Sequence, residues 1–241
     1  MKYIVMADIH SNLQAFEAVI GSFPEEGGYD VICAGDVVGY GADPVKCIDT
    51  VLSLGVKNIV GNHDAGVIDK TDISYFNKHA AEAVQWTKEH LDQPSRDYLE
   101  GLQYVREEEL FTVAHGTLHD PEEFMYMMTW ADAMHTFEVL NTKICFVGHS
   151  HVPGTFILRG GEISQSFEKK IGLEEEARYI VNVGSVGQPR DGDNRSCYCV
   201  YDADKDEIEF RRIEYDIKTA AKRIVAAGLP EVLAERLFVG R

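Results

Sequence analysis

Several features are scarce in this sequence, and each scarcity excludes a class of protein. No apolar run approaches the ~20 residues needed to span a membrane, and the start, MKYIVMADIH, lacks the apolar core and cleavage site of a signal peptide. We therefore expect a cytoplasmic protein that makes no membrane contact. The five cysteines are odd in number and form no C-x-x-C motif, so neither a disulfide framework nor a thiolate metal site is expected.

Basic residues are also few, since 23 Lys and Arg stand against 40 Asp and Glu, for a formal charge of -17. The electrostatic field of a protein with this negative charge repels polyanions, which argues against tight nonspecific binding of nucleic acid. A small phosphate ester remains acceptable as a ligand. The length of 241 residues and the 45% hydrophobic content predict one large domain with a substantial core and room for an insertion. The sequence does not specify an oligomeric state.

The N-terminal part alternates between strand and helix patterns. We predict strands at YIVMA, DVICAGD and VKNIVGN, with helices at SNLQAFEAVI and ADPVKCIDTVLSLG between them. This order favours a largely parallel sheet. Residues from about 66 to 110 are mostly helical, and we interpret them as a cap inserted over one edge of the sheet. The chain is then mostly β as far as about residue 216, and a helical tail covers about 216–241.

Polar side chains follow five of the apolar runs, namely IVMADIH, VICAGD, NIVGNHD, LFTVAHG and ICFVGHSH. Ligands of open α/β sheets bind beyond the carboxyl ends of the strands, so segments distant in sequence are expected to meet there. Residues two apart on an extended backbone point the same way. We therefore predict that Asp8 and His10 form one pair of side chains, and His149 and His151 another.

These pairs, together with Asp36, Asn62 and His115, predict a metal site. A set of carboxylate, amide and imidazole donors without thiolate suits Mn, Fe, Zn, Co or Ni better than Ca or a structural zinc. Seven ligating side chains are too many for one open catalytic ion. We therefore predict two divalent ions, roughly 3.5 to 4 Å apart, that share a carboxylate, with Mn favoured.

The motifs DIH, GDVVGYG, GNHD, HG and GHSH resemble, in this order, the D-x-H, G-D, G-N-H-D/E, H and G-H-x-H pattern of the calcineurin-like metallophosphoesterase superfamily. Over nearly its whole length the chain is similar to the prokaryotic branch of small phosphodiesterase-like proteins. The resemblance implies an α/β fold, a four-layer αββα sandwich of two mixed sheets flanked by helices. Residues 1–241 then form a single metallophosphoesterase domain with the helical cap as an insertion.

The resemblance also implies how the ligands divide between the ions. One ion takes Asp8, His10, Asp36 and His151, and the other takes Asp36, Asn62, His115 and His149.

The segment GNHD places Asn62, His63 and Asp64 after an apolar run, although the pattern there indicates neither a helix cap nor a turn. By resemblance, His63 is the general acid that protonates the leaving oxygen, and Asp64 orients and charges its imidazole. A hydroxide bridging the metals is expected to attack phosphorus in line.

The segment NVGSVGQPRDGDNR resembles a family element N-P-G-S-x-G-x-P-R, with Val183 where proline is usual. Arg190 is therefore a candidate for substrate binding, because a guanidinium matches phosphate oxygens bidentately. The alternative is a turn arginine paired with Asp191 or Asp193. His119 stands where relatives carry a second arginine.

These features predict a metal-dependent phosphoesterase for a small phosphodiester or phosphomonoester, with the diester slightly favoured. The alternative enzymes are a phosphoprotein phosphatase and a dinucleoside-polyphosphate hydrolase, because the same centre serves all three and substrate choice lies in the cap and loops. A wide groove favours the phosphatase, and a narrow pocket with aromatic stacking favours a nucleotide. A noncatalytic metal-binding scaffold is the alternative of a different class, against which the complete ligand set and His63 argue.

Overall fold

The computed structural model describes residues 1–25 and 27–241. The strands in this part of the chain are β1 (Lys2–Met6), β2 (Tyr29–Cys33), β3 (Lys57–Asn58), β4 (Val105–Glu107), β5 (Phe111–Ala114), β6 (Ile144–Val147), β7 (Gly154–Arg159), β8 (Glu162–Ser166), β9 (Lys170–Gly172), β10 (Ala177–Asn182), β11 (Ser196–Asp202) and β12 (Glu207–Ile213). The helices are α1 (Leu13–Gly21), α2 (Pro44–Ser53), α3 (Asn62–Val67), α4 (Lys78–His90), α5 (Gln93–Glu100), α6 (Trp130–Val139), α7 (Ile217–Ala226) and α8 (Glu231–Val239). Two short 3₁₀ turns, Ile73–Tyr75 and Pro121–Glu123, complete the secondary structure.

The strands form two mixed sheets of six strands each. The first has the order β3-β2-β1-β11-β12-β9, and the second has the order β4-β5-β6-β10-β7-β8. In the first sheet β1, β2 and β3 are parallel, and in the second β5, β6 and β10 are parallel. The remaining pairs are antiparallel, so each sheet has a parallel half whose strands end at one edge.

The two sheets pack face to face, and helices cover their outer faces. Side chains alternate along each strand, so Val5 of β1 and Phe146 of β6 lie in the core between the sheets. Their neighbours Met6 and Cys145 lie in the outer cores instead. The first outer core lies under α1 and α2, and the second lies under α6. These four layers confirm the predicted αββα sandwich.

The segment from about 66 to 110 contributes α4, α5 and β4, and both of these helices contact α2 and α3. It therefore supplies part of a helical layer as well as Lys70–Asn77, which line the cleft described below. Helices α7 and α8 pack against each other near the C-terminus, with Gly228 between them at a φ of +75°. No described helix has both the length and the apolar character that crossing a membrane requires.

Candidate metal centre

The parallel strands of both sheets end at the same edge of the sandwich, and their following loops carry the predicted ligands. Asp8 follows β1, Asp36 follows β2, and Asn62 comes after β3. From the second sheet, His115 follows β5 and His149 follows β6. The backbone N–H of His149 donates to both oxygens of Asp8, at 3.3 and 3.1 Å, which ties the two sheets together at the site. All seven predicted ligands are brought together here and buried.

The backbone at these ligands differs from the extended conformation that we predicted. Five of the seven have positive φ angles: Asp8 (55°), His10 (50°), Asp36 (56°), His149 (65°) and His151 (60°). The strands have already ended, and each loop turns sharply so that its side chains enter the space between the sheets. Asp and His are among the residues that tolerate this region, and such strain persists where the surroundings fix it. Asp8 and His10 do meet, with Nε2 of His10 3.8 Å from Oδ1 of Asp8, but through loop geometry rather than strand periodicity. His149 and His151 instead lie in different groups of candidate ligands.

The first group of ligands is Asp8, His10 and His151, whose donor atoms all lie within 4.8 Å of one another. The Nδ1 atom of His10 lies 3.1 Å from the Val38 carbonyl, and that of His151 lies 2.6 Å from the Gln188 carbonyl. A ring that donates through Nδ1 keeps its proton there, so Nε2 is left with a free lone pair. The two Nε2 atoms are 3.0 Å apart. Two lone pairs at this distance repel each other unless a cation lies between them.

The second group contains Asp36, His115 and His149. The Nδ1 atom of His115 lies 2.7 Å from the Ala34 carbonyl, and its Nε2 lies 3.0 Å from Oδ1 of Asn62. The division of the seven residues between two ions, and metal binding itself, stay predictions.

Asp36 lies between the two groups. Its Oδ1 accepts a hydrogen bond from the backbone N–H of His63 at 2.8 Å. Its Oδ2 is buried and has no hydrogen-bond partner among the described residues, although Nε2 of His115 is 3.2 Å away and Nε2 of His10 is 3.7 Å away. A buried carboxylate oxygen left in this way is costly unless a cation or a proton satisfies it. The buried His and Asp groups could therefore hold divalent metal.

Burial sets the protonation of three of the histidine ligands, whereas at His115 burial is outweighed by the charge of Asp36, which raises the pKa to about 9. Burial lowers the pKa of His10, His149 and His151 well below the usual value, so these rings are neutral, as metal ligation requires. Burial raises the pKa of Asp8 to about 8, and the neighbouring charge of Asp36 adds to this effect. A bound cation would reverse the shift at Asp8 by stabilising its charged form.

His63 lies beside both groups. Its ring contacts those of Tyr40 and His10, with centroids 4.4 and 4.8 Å away, and its Nδ1 is buried without a partner among the described residues. Burial lowers the pKa of His63 to about 4, although the charge of Asp36 opposes this shift. His10, Asp36 and His63 also form a third group within 4.8 Å, so this ring lies within ligating distance as well.

Gly39 lies against the His63 ring, so a substitution of Gly39 tests whether the position of this ring matters. The φ of Gly39 is +97°, and a Cβ there would overlap the His63 ring. We expect Gly39→Ala to lower kcat for a phosphate ester by about 10²-fold, because small displacements of catalytic groups cost this much. Gly55→Ala is the matched control, since φ at Gly55 is +62° with open space around it. Steady-state kinetics and thermal unfolding of both variants would measure the difference. Equal kcat values would show that the position of His63 does not limit the reaction.

Asp64 does not have the predicted contact with the His63 ring. Its Oδ2 accepts backbone hydrogen bonds from Asp36 at 2.8 Å and from Gly61 at 3.1 Å, and its Oδ1 accepts one from Val38 at 3.1 Å. The reason is that GNHD begins helix α3, and Asp64 occupies its first turn, where a carboxylate satisfies free N–H groups. We therefore correct its role: Asp64 holds the Asp36 loop against the start of α3.

Arg190 does not pair with Asp191 or Asp193, so the turn-arginine alternative is wrong. Those carboxylates pair instead with Arg212 and Arg195. Arg190 donates to the Tyr40 hydroxyl at 3.2 Å and to Oε1 of Gln188 at 3.0 Å. Among the described residues it has no carboxylate partner, and it lines the cleft above the ligands. Its charge is therefore available to an anion.

A cleft of about 670 Å³ opens over the two groups of ligands. The sequence analysis did not identify the aromatic residues in its walls, which are Tyr40, Tyr75, Phe76, Tyr104, Phe124 and Tyr126. Tyr40 lies in the GDVVGYG motif, so its position beside Asp36 could have indicated it. Nothing comparable pointed to Tyr126, because its place depends on the path of a long loop. His119 is exposed next to Asp120, and it is not among the residues that line the cleft.

Comparisons with known proteins agree with this geometry. The chain is 40% identical over 242 aligned positions to an uncharacterized protein of Methanocaldococcus jannaschii, covering 98% of this chain and 97% of that one. A metallophosphoesterase from Sphaerobacter thermophilus is 33% identical, with a TM-score of 0.86 and coverage of 100% of this chain and 99% of that one. A hypothetical protein from Pyrococcus horikoshii has the same fold at 21% identity, with a TM-score of 0.80 and coverage of 100% and 98%. The calcineurin-like phosphoesterase superfamily domain matches residues 1–206. The protein therefore belongs to the calcineurin-like phosphoesterase superfamily.

Proposed function

We propose that this protein is a metal-dependent hydrolase of a small phosphodiester or phosphomonoester, with the diester favoured. The observation that carries the proposal is the buried Oδ2 of Asp36, which makes no hydrogen bond among the described residues and lies between two groups of imidazole and carboxylate donors. Asp8, His10, Asp36 and His151 would hold one divalent ion, and Asp36, Asn62, His115 and His149 would hold the other. Mn²⁺ is the ion that we favour, because carboxylate and amide oxygens suit it.

Divalent ions at such a site activate water and offset the charge of phosphate oxygens. Residues of the chain would bind the substrate and supply the proton. Arg190 would bind a phosphate oxygen, and the Tyr40 hydroxyl and Gln188 hold its guanidinium ready for this. His63 would give a proton to the leaving oxygen. Its low pKa means that the free ring is neutral at pH 7, so an adjacent phosphate anion must favour its charged form.

The cleft supports a small ester over the alternative substrates. Its volume of about 670 Å³ and its aromatic rings suit a small molecule better than the surface of a phosphoprotein. Besides Asp36, three carboxylates line it, Asp72, Glu122 and Glu123, together with two cations, Lys70 and Arg190. This balance opposes a polyphosphate chain, and the formal charge of -17 opposes nucleic acid as a partner.

A noncatalytic scaffold is the alternative of a different class. The burial of all seven predicted ligands in one place, with His63 beside them in the cleft, supports an enzyme over a scaffold.

Metal removal tests the proposal. Protein dialysed against a chelator should not hydrolyse methyl p-nitrophenyl phosphate, and added Mn²⁺ should restore hydrolysis in a saturable way. p-Nitrophenyl phosphate, which has the same leaving group, measures the preference for diester over monoester. Undiminished hydrolysis by the stripped protein would contradict the proposal, and so would the absence of turnover on both esters after refilling.

A further inference from the structure

Tyr126 lies on top of a predicted metal ligand. Its ring is stacked on that of His149, with centroids 3.9 Å apart and an angle of 18° between the planes. Even so, 49% of Tyr126 is exposed, and it lines the cleft. One face of the ring therefore contacts His149, while the opposite side is open to a molecule in the cleft.

The loop around Tyr126 is anchored on both sides. Phe124 is buried against His115 and Tyr104, with ring centroids 5.9 and 5.8 Å away, and Met127 is buried in the outer core under α6. Between them, the carbonyl of Met125 accepts a hydrogen bond from Thr117 N–H at 3.0 Å. The exposed ring is therefore held in place from both sides, and a ligand that stacks on it has little chain disorder to overcome.

We infer that the ester hydrolysed by this protein carries a planar aromatic group close to phosphorus, and that Tyr126 is the surface on which this group stacks. The inference rests on the proposed function, because it places the phosphate at the ligands beside His149. Tyr offers a large flat surface with few rotatable bonds, which makes it suitable for this contact. Two kinds of ester have the required group, an aryl phosphate and a nucleotide.

The surrounding charges are consistent with one phosphate and a neutral ring. Glu122 and Glu123 precede Tyr126 in the same wall of the cleft, and Arg190 lies near the ligands together with Tyr40. A second phosphate beside the stacked group would meet those two carboxylates. An uncharged ring meets no such repulsion.

Binding to the Mn²⁺-loaded protein, measured by titration calorimetry, tests the inference with two pairs of probes. Phenylphosphonate and cyclohexylphosphonate match in size and charge, and only the first is planar. Uridine 5′-monophosphate and ribose 5-phosphate share a ribose 5-phosphate group, and only the first has a base. We expect the planar member of at least one pair to bind on the order of tenfold more tightly, as stacking of one ring provides. The pair that shows the preference identifies the aryl or the nucleotide source.

Variants of Tyr126 distinguish stacking of a ligand on its ring from a role in which Tyr126 only covers His149. Tyr126→Leu still covers the His149 ring but is not planar, so we expect it to abolish the preference while the bound Mn²⁺ stays unchanged. Tyr126→Phe should keep the preference. Met125→Leu is the control, because Met125 is exposed next to Tyr126 but is not among the residues that line the cleft.

Equal binding within both pairs, or a preference that survives in Tyr126→Leu, would overturn the inference. Absence of binding by all four probes would also overturn it. Calorimetry does not depend on turnover, so a planar preference in a protein that hydrolyses nothing would contradict only the proposed function. Hydrolysis without any planar preference would contradict only the inference.

Discussion

His63→Ala is expected to lower kcat for hydrolysis of a phosphodiester by about 10² to 10⁴, the usual contribution of a positioned acid. The His63 ring lies in the cleft beside Asp36, and neighbouring aromatic rings restrict its position, including Phe76 with a centroid 5.3 Å away. Because removal of this ring takes away a proton donor, the loss should depend on the leaving group. A phenolate needs protonation more than a p-nitrophenolate does. We therefore expect the larger loss with methyl phenyl phosphate than with methyl p-nitrophenyl phosphate.

The control for this variant is His135→Ala, which removes an exposed histidine on α6 that does not line the cleft. Its kinetics should match those of the unchanged protein. Metal content, measured by mass spectrometry after desalting, should be the same in all three proteins. A His63→Ala variant that lost metal, or lost equal activity with both leaving groups, would assign His63 to the third ligand group instead of to proton transfer.

Asp36→Asn is the second substitution with a large expected effect. The amide keeps the size of the side chain and an oxygen for the N–H of His63, but it replaces the charged oxygen that faces His115 and His10. Removing a residue that only hydrogen-bonds to a metal ligand already lowers metal affinity or activity about 10- to 100-fold. Loss of a ligand shared by two ions should cost more than this, and the variant should retain at most one Mn²⁺ per chain.

Asp43→Asn is the matched control for Asp36→Asn. Asp43 is also a buried carboxylate, but it precedes α2 and pairs with Arg223 of α7. We expect this variant to unfold at a lower temperature and still bind two ions. Full metal binding by Asp36→Asn would show that its carboxylate is not shared, and would contradict the assignment made from its buried Oδ2.

The resemblance of the motifs to the superfamily predicted the four layers, and the strand pattern predicted the place where the ligands meet. Parallel strands end at one edge, so polar side chains after β1, β2 and β6 must come together there. The sequence could not reveal how the backbone does this. The φ angles of Asp8 and His10 are positive. A strained backbone conformation of this kind costs on the order of 1 to 3 kcal/mol per residue, and a hydrophobic pattern gives no sign of it.

Two further features depended on contacts that are distant in sequence. Asp64 follows His63 directly, which suggested a partner for its ring, but the free N–H groups of Asp36 and Val38 attract the carboxylate instead. Tyr126 belongs to a long segment without periodicity between β5 and α6, and its stacking on His149 brings that segment against the loop after β6. Motif spacing therefore identifies groups that could hold metal, whereas the aromatic residues that line the cleft are found only in the structure.

Anomalous scattering from crystals of the Mn²⁺-loaded protein tests the central claim most directly. The account predicts two peaks in each chain, both in contact with the Asp36 carboxylate. One should contact the group of Asp8, His10 and His151, and the other the group of His115 and His149. A single peak, or two peaks of which only one contacts Asp36, would contradict the account of a shared carboxylate between two ions.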